Sequence, residues 1–200
     1  MARRSEHSLE EIKEMVLRAS ETIVIEEGFT ELKVRRVAMD IGYTVGSIYM
    51  VFDNMADLFM HVKGRTLDDI ANQLSQDIDN NSAKKTIKQL AKNYLAYAAK
   101  NFNRWNMIFE HRLAENEQVP DWYQTKIDSV FSLIESQFNR LTSSHSEEQN
   151  KLAARSLWSG VHGVCSLSLS GKIDLLGTNN TEDAVELLVD NFIKGWVSNS

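Results

Sequence analysis

Apolar residues recur three and four positions apart along most of the 200-residue chain, the spacing of amphipathic helices. Leu9, Ile12, Val16, Ala19 and Ile23 trace the first helix, opened by Ser8 with Glu11 three positions on and stopped by Gly28. Two short segments follow, Val34 to Ile41 and Val45 to about Val51, separated by Gly42-Tyr43-Thr44. Asn54 with Asp57 starts a fourth helix, whose stripe Leu58, Val62, Leu67, Ile70, Leu74 and Ile78 carries it to the Asp77–Asn81 region. The polar run Asp79-Asn80-Asn81-Ser82 predicts a turn, and a fifth helix spans about Ala83 to Phe102. A shorter segment covers Arg104 to about Leu113, and Pro120, the only proline, opens a helix that continues to Leu141. The last two helices are about Glu147–Ser170, capped by Ser146, and Glu182–Val197, capped by Thr181. Period-two alternation is almost absent. The expected fold class is therefore all-α, with about nine helices: a three-helix head and a larger helical body.

Composition adds limits. The 42 % hydrophobic and 25 % charged fractions are those of an ordinary globular protein, and no run approaches about 18 uninterrupted apolar residues. Cys165 is the only cysteine, so no internal disulfide can form. Met1-Ala-Arg-Arg leads into an amphipathic pattern and not the apolar core of a signal peptide. Together these predict a cytoplasmic protein with no membrane partner. The net charge of −6 argues mildly against nucleic acid, since residues 1–65 carry 9 Lys+Arg against 11 Asp+Glu. Phosphate contacts are short-range, however, so position outweighs the sum. Lys33, Arg35 and Arg36 face only Asp40 between positions 33 and 52, and Arg3-Arg4 adds a basic arm.

The two short segments are too brief to stand alone as helices. As a helix-turn-helix they make sense: a brace, a tight turn and a reading helix. Val37, Ala38 and Ile41 form the inward face of the brace, Gly42 supplies the left-handed turn, and Ile48 and Phe52 bury the reading helix. Tyr43, Thr44, Val45, Ser47 and Tyr49 are left on or near the outside, and Gly46 trims bulk where a backbone approaches DNA. The reading helix carries no Arg, Asn or Gln, so bidentate base recognition is absent there; specificity is expected from thymine-methyl contact and DNA shape.

On these residues the chain resembles the TetR family of bacterial transcriptional regulators. The match rests on Glu27-Gly28-Phe29, Val34, Val37-Ala38, Ile41-Gly42, Val45-Gly46-Ser47-Ile48-Tyr49, Phe52 and Asp57-Leu58, and covers about residues 8–60. The resemblance implies phosphate contacts from Thr44 and Tyr49 and base edges nearest Tyr43, Val45 and Ser47, with Lys33 and Arg35 beside the backbone. Two departures stand out: Lys33 where the family usually has a capping Thr, and Met55 where it usually has a Lys. It further implies residues 1–53 as a DNA-binding domain and 54–200 as an effector-binding and dimerisation domain.

In the body, Trp158 to Gly163 resembles the Trp-x-x-x-His-Gly signature of the WHG-type C-terminal domain of such regulators, and Arg104-Trp105-Asn-Met107-Ile-Phe109 fits the aromatic segment upstream of it. Trp158, His162 and Cys165 lie on one helical stripe. His162 is a core histidine, a polar group of a pocket, or a metal ligand; no Cys/His pair has metal-site spacing, so no metal is expected. Catalysis by His162 and Cys165 lacks an orienting Asn or Asp, and no enzyme activity or cofactor is expected. Tyr94, Phe102, Trp105, Phe109, Trp122 and Phe131, with His162, are the candidate ligand pocket; the alternative is that these rings only fill the core. The last two helices, 147–170 and 182–197, with Val185, Leu188, Val189, Phe192 and Trp196, form the expected homodimer seam. The leading expectation is a repressor released from operator DNA by a small hydrophobic or aromatic effector. Its competitor is a helical small-molecule-binding protein whose head no longer binds DNA.

Overall fold

Ser8 begins the regular structure with a reciprocal cap: its hydroxyl accepts the Glu11 amide at 3.3 Å, and the Glu11 carboxylate accepts the Ser8 amide at 2.7 Å. A computed structural model describes residues 7–76, 78, 81–111, 119–172 and 180–198. Among the described residues there are nine α-helices and no strand. In chain order they are α1 (Leu9–Glu27), α2 (Val34–Asp40), α3 (Val45–Ile48), α4 (Met55–Leu74), α5 (Ala83–Lys100), α6 (Phe102–Glu110), α7 (Asp121–Leu141), α8 (Glu147–Leu169) and α9 (Thr181–Ser198), with a 3₁₀ turn at Phe29–Glu31. The all-α expectation holds.

Local chemistry explains the boundaries. Gly28 ends α1 at φ +89°, a conformation costly for any residue with a Cβ. Asn54 Oδ1 accepts the Asp57 amide at 2.9 Å and Asp57 accepts the Asp53 amide at 3.0 Å, so α4 opens on a carboxylate at its positive end. Several ends differ from the sequence pattern: α4 stops at Leu74, short of the Asp77–Asn81 region, and α5 at Lys100, short of Phe102, which instead begins α6. The reading helix stops at Ile48, short of Val51, because it has only one turn to form before Phe52 folds inward. The cap of α9 is Asn180, whose side chain accepts the Glu182 and Asp183 amides, while Thr181 belongs to the helix.

The chain packs as two units: Met1–Thr66 with Asn103–Tyr123, and Leu67–Phe102 with Gln124–Ser200. In the first, α1, α2, α3, the first part of α4 and α6 share a core of Val16, Val24, Val37, Ile48, Leu58, Val62 and Met107, all fully buried. Arg65 ties α4 to α1 through Glu14 and through Glu21 at 3.2 Å. Lys63, 4 % exposed, donates to the His111 carbonyl at 2.9 Å and so ties α4 to the end of α6.

In the second unit, α5, α7, α8 and α9 surround Phe138, Ile87, Leu157, Val185 and Val189. Asp190 on α9 takes Lys84 at 2.9 Å and Lys88 at 2.7 Å from α5. At Gly160 of α8 a Cβ would lie 3.0 Å from Leu188 Cδ2 of α9, so a side chain there would require Leu188 to give way.

Candidate nucleic-acid interface and effector cavity

The turn between α2 and α3 is built from backbone. The Gly42 amide donates to the Met39 carbonyl at 3.2 Å and the Tyr43 amide to the Ala38 carbonyl at 2.9 Å, with Gly42 at φ +72°. Thr44 then caps α3, its hydroxyl accepting the Ser47 amide at 3.2 Å and lying 3.0 Å from the Ser47 hydroxyl. Ile48 and Phe52 are buried, as are Val37 and Ala38 of the brace, whereas Ile41 is half-buried. This is a helix-turn-helix: a braced, one-turn second helix with its anchor residues inward.

Its outward side carries Thr44, Gly46 and Tyr49, all exposed, with Val45, Ser47 and Tyr43 half-buried. Tyr49 is 43 % exposed. Met39 and Met50 are also exposed, two apolar side chains that the sequence pattern had no reason to single out. Lys33 and Arg35 are exposed at the start of α2. Lys33 makes no side-chain cap, as expected for a Lys in that place, and its ammonium pairs with Glu31 at 3.1 Å. The local basic edge is more nearly neutral than the count of charges implied. Arg36 binds Glu27 at 3.0 Å and Asp40 at 3.1 Å, leaving Arg35 as the cation here without an ion pair among the described residues. Met55 is half-buried against the core of the first unit. Arg3 and Arg4 lie outside the described residues.

In the second unit lies a narrow, apolar cleft with a cavity volume of about 40 Å³. Its walls are Leu74, Ile87, Leu90, Ala91 and Tyr94 on one side, and Val130, Phe131, Leu133, Ile134, Leu157, Trp158 and Val161 on the other. Among the described residues no charged side chain lines it, and the Tyr94 hydroxyl lies 2.9 Å from His162 Nδ1. Burial lowers the pKa of His162, favouring the neutral imidazole. The imidazole also stacks on Trp158, with centroids 5.2 Å apart. Trp158 meets Phe131 edge-on at 5.0 Å, and the Arg155 guanidinium covers Phe131 at 4.8 Å while pairing with Glu135 at 3.0 Å and Asp128 at 3.3 Å.

The residues of the six-ring pocket expected from sequence fall in both units. Tyr94 and Phe131 line the cleft and His162 braces Tyr94. Trp105, Phe109 and Trp122 belong to the first unit, where Trp105 packs on Phe109 at 5.2 Å and Trp122 stacks on His61 at 4.6 Å. Phe102 is exposed at the start of α6 and is not in the lining. Helical spacing marks a ring as inward-facing but not which core it enters, and α6 with the start of α7 enters the other one. Trp158 was visible on its stripe but absent from the expected pocket.

Cys165 is fully buried, and burial pushes its thiol up to about 12, so the reactive thiolate is suppressed. No group of three His, Cys, Asp or Glu arranged to hold a metal occurs among the described residues. The apolar stripe of α9 also turns inward: Val185 and Val189 are buried, and Phe192 and Trp196 pack on Phe138 at 6.1 and 6.2 Å. Outward-facing apolar residues are Leu152 and Leu167 on α8 and Leu187 and Val197 on α9. No helix among the described residues is long and apolar enough to cross a membrane.

These features define a helix-turn-helix transcriptional regulator. Residues 87–192, which include Tyr94, Trp158 and His162, match the family described as the tetracyclin repressor-like C-terminal domain. The chain belongs to that family, the TetR-type transcriptional regulators. Among curated proteins, an uncharacterised HTH-type transcriptional regulator of Mycobacterium tuberculosis is 24 % identical over 169 residues, 84 % of this chain and 74 % of its own length. Among solved structures, a protein of unknown function from Rhodococcus sp. RHA1 superimposes with a TM-score of 0.76 at 14 % identity, over 98 % of both chains. The protein BioQ, solved with its double-stranded DNA operator, gives 0.63 at 17 % identity, over 91 % of this chain and 98 % of its own.

Proposed function

We propose that the protein is a homodimeric repressor that binds operator DNA and leaves it when a small, apolar or aromatic effector enters the second unit. Residues 1–53 are the DNA-binding domain, and 54–200 bind effector and dimerise. The observation that carries this reading is the helix-turn-helix itself, with Ile48 and Phe52 turned inward and Thr44 and Tyr49 turned out. Thr44 and Tyr49 grip phosphates, Lys33 and Arg35 flank them, and Tyr43, Val45 and Ser47 lie nearest the bases. The operator complex of BioQ, a protein of the same fold, supports the same mode of binding.

Dimerisation runs through α8 and α9, about residues 147–170 and 182–197, where Leu152, Leu167, Leu187 and Val197 offer apolar surface. A single weak head gains from a partner spaced one DNA turn away, roughly 34–36 Å. The effector enters the cleft of Tyr94, Phe131 and Trp158, with the Tyr94–His162 pair as its polar handle. Release follows if it binds the free conformation more tightly than the DNA-bound one.

A second reading, a ligand-binding protein with a silent head, draws on the neutralised cations: Lys33 with Glu31, and Arg36 with Glu27 and Asp40. Exposed pairs of this kind are worth about 0–1 kcal/mol, so an approaching phosphate can replace either carboxylate. That magnitude favours the repressor.

The test is selection of duplexes from a random-sequence pool, followed by a mobility shift on the winner with and without a neutral aromatic compound that binds the cleft. Tyr49→Phe should bind the selected duplex severalfold more weakly with unchanged sequence preference. No enrichment by the wild type selects the silent-head reading, and tight cleft binding that leaves the shift unaltered removes simple derepression. Sedimentation at micromolar concentration reads the dimer.

A further inference from the structure

The first described residue, His7, reaches across 36 positions to the reading head: its Nδ1 lies 2.7 Å from the Tyr43 hydroxyl, and the two rings meet edge-on at 6.0 Å. We infer that His7 is a positioning residue for DNA recognition, fixing the reading helix through Tyr43. The inference rests on the proposal that this head binds duplex DNA.

The need for such a fixture follows from length. Helix α3 has four residues, and one turn of helix has no stability of its own in water. Its direction is therefore set by what holds its two ends. At the far end, Ile48 and Phe52 are buried in the core of the first unit. At the near end, the Tyr43 amide is held by the Ala38 carbonyl at 2.9 Å, its ring packs half-buried against that core, and its hydroxyl meets His7. Thr44, the cap of α3, is the next residue. The Tyr43 side chain is thus pinned at backbone, ring and hydroxyl, and a shift of its ring is passed to Val45 and Ser47 one turn on.

Two consequences separate this from a general packing role. The Tyr43 hydroxyl is engaged with His7, so one of its two hydrogen-bonding roles, donor or acceptor, is taken and only the other is left for DNA. Moreover, His7 and Tyr43 act as a unit: removing either partner removes the same contact, so the second removal adds little.

The test uses the full-length protein and the duplex that the wild type enriches from a random pool. His7→Ala and Tyr43→Phe should each weaken binding roughly three- to tenfold, the scale of one part-buried hydrogen bond. The double variant should be no weaker than either single one. His7→Asn, which places an amide near the position of Nδ1, should recover part of the loss. A repeat selection with His7→Ala should show a broader base preference, a change that uniform loss of stability does not produce. Tyr43→Phe keeps the packed ring, so it serves even where His7→Ala disturbs the start of α1. Unchanged affinity and preference in both single variants, or additive losses in the double one, overturn the inference while the duplex reading stands. Failure of the wild type to enrich any duplex overturns both.

Discussion

Replacing Lys63 by Met tests whether the charge buried beneath the head is a burden that the fold carries. Lys63 is 4 % exposed, and burial lowers its pKa from 10.5 to about 8. The folded state therefore prefers the neutral amine, and folding the charged form costs free energy. The sign follows directly. The cost is full below pH 8, the folded value, and fades as pH climbs toward 10.5, the unfolded one. At about 1.4 kcal/mol per pKa unit the penalty is about 3 kcal/mol at pH 7 and about 2 kcal/mol at pH 9. Wild-type stability should thus gain about 1 kcal/mol over this window relative to Lys63→Met, which has nothing to titrate. Comparison with the variant cancels other groups, Cys165 included. Urea unfolding followed by tryptophan fluorescence is a suitable assay, because Trp105 and Trp122 lie in the same unit as Lys63. With a urea slope of about 1–3 kcal/mol per molar, the gap between the two midpoints should change by roughly 0.3–1 M. At pH 7 the variant also loses a charge-assisted bond to the His111 carbonyl, worth about 1.5–3 kcal/mol, so its absolute stability should lie near that of the wild type. Parallel curves for the two proteins between pH 7 and pH 9 would refute the buried-ammonium account.

Other outcomes can be checked as directly. Ile48→Ala should cost about 2–5 kcal/mol and abolish binding to the selected duplex, whereas Ile48→Val should cost about 0.5–1.5 kcal/mol; thermal melting and a mobility shift read both. Ala91→Leu should fill part of the cleft and weaken binding of the neutral dye N-phenyl-1-naphthylamine at least fivefold, and an unaltered fluorescence titration would place the dye elsewhere. Cys165 should react with iodoacetamide at least a hundredfold more slowly in the native protein than in urea, and equal rates would contradict its burial.

Legibility differed sharply between the two units. The head could be read closely because its signals are local: Ser8 with Glu11, the left-handed Gly42, Thr44 as cap, and Ile48 with Phe52 one turn apart. Its electrostatics could not, since Arg36 finds Glu27 only through the folded path of α1 and α2. His7 carried no sequence signal, because nothing in the chain announces a contact with Tyr43 across 36 positions. The cleft was half legible. Tyr94 and Phe131 are correctly inward-facing, but so are Trp105 and Trp122, and periodicity has no means of telling one core from another. The α9 stripe has the same ambiguity: Phe192 and Trp196 meet Phe138 of their own chain.

A one-turn recognition element that is clamped from outside has a practical corollary. Since the Ser47 side chain is not part of the core that holds α3, whereas Val45 packs half-buried against it, Ser47 is the exchangeable part, and a new residue there could redirect the molecule to other promoters while the scaffold stays intact. Retargeting should therefore be cheap at Ser47 and ruinous one residue further along, at Ile48.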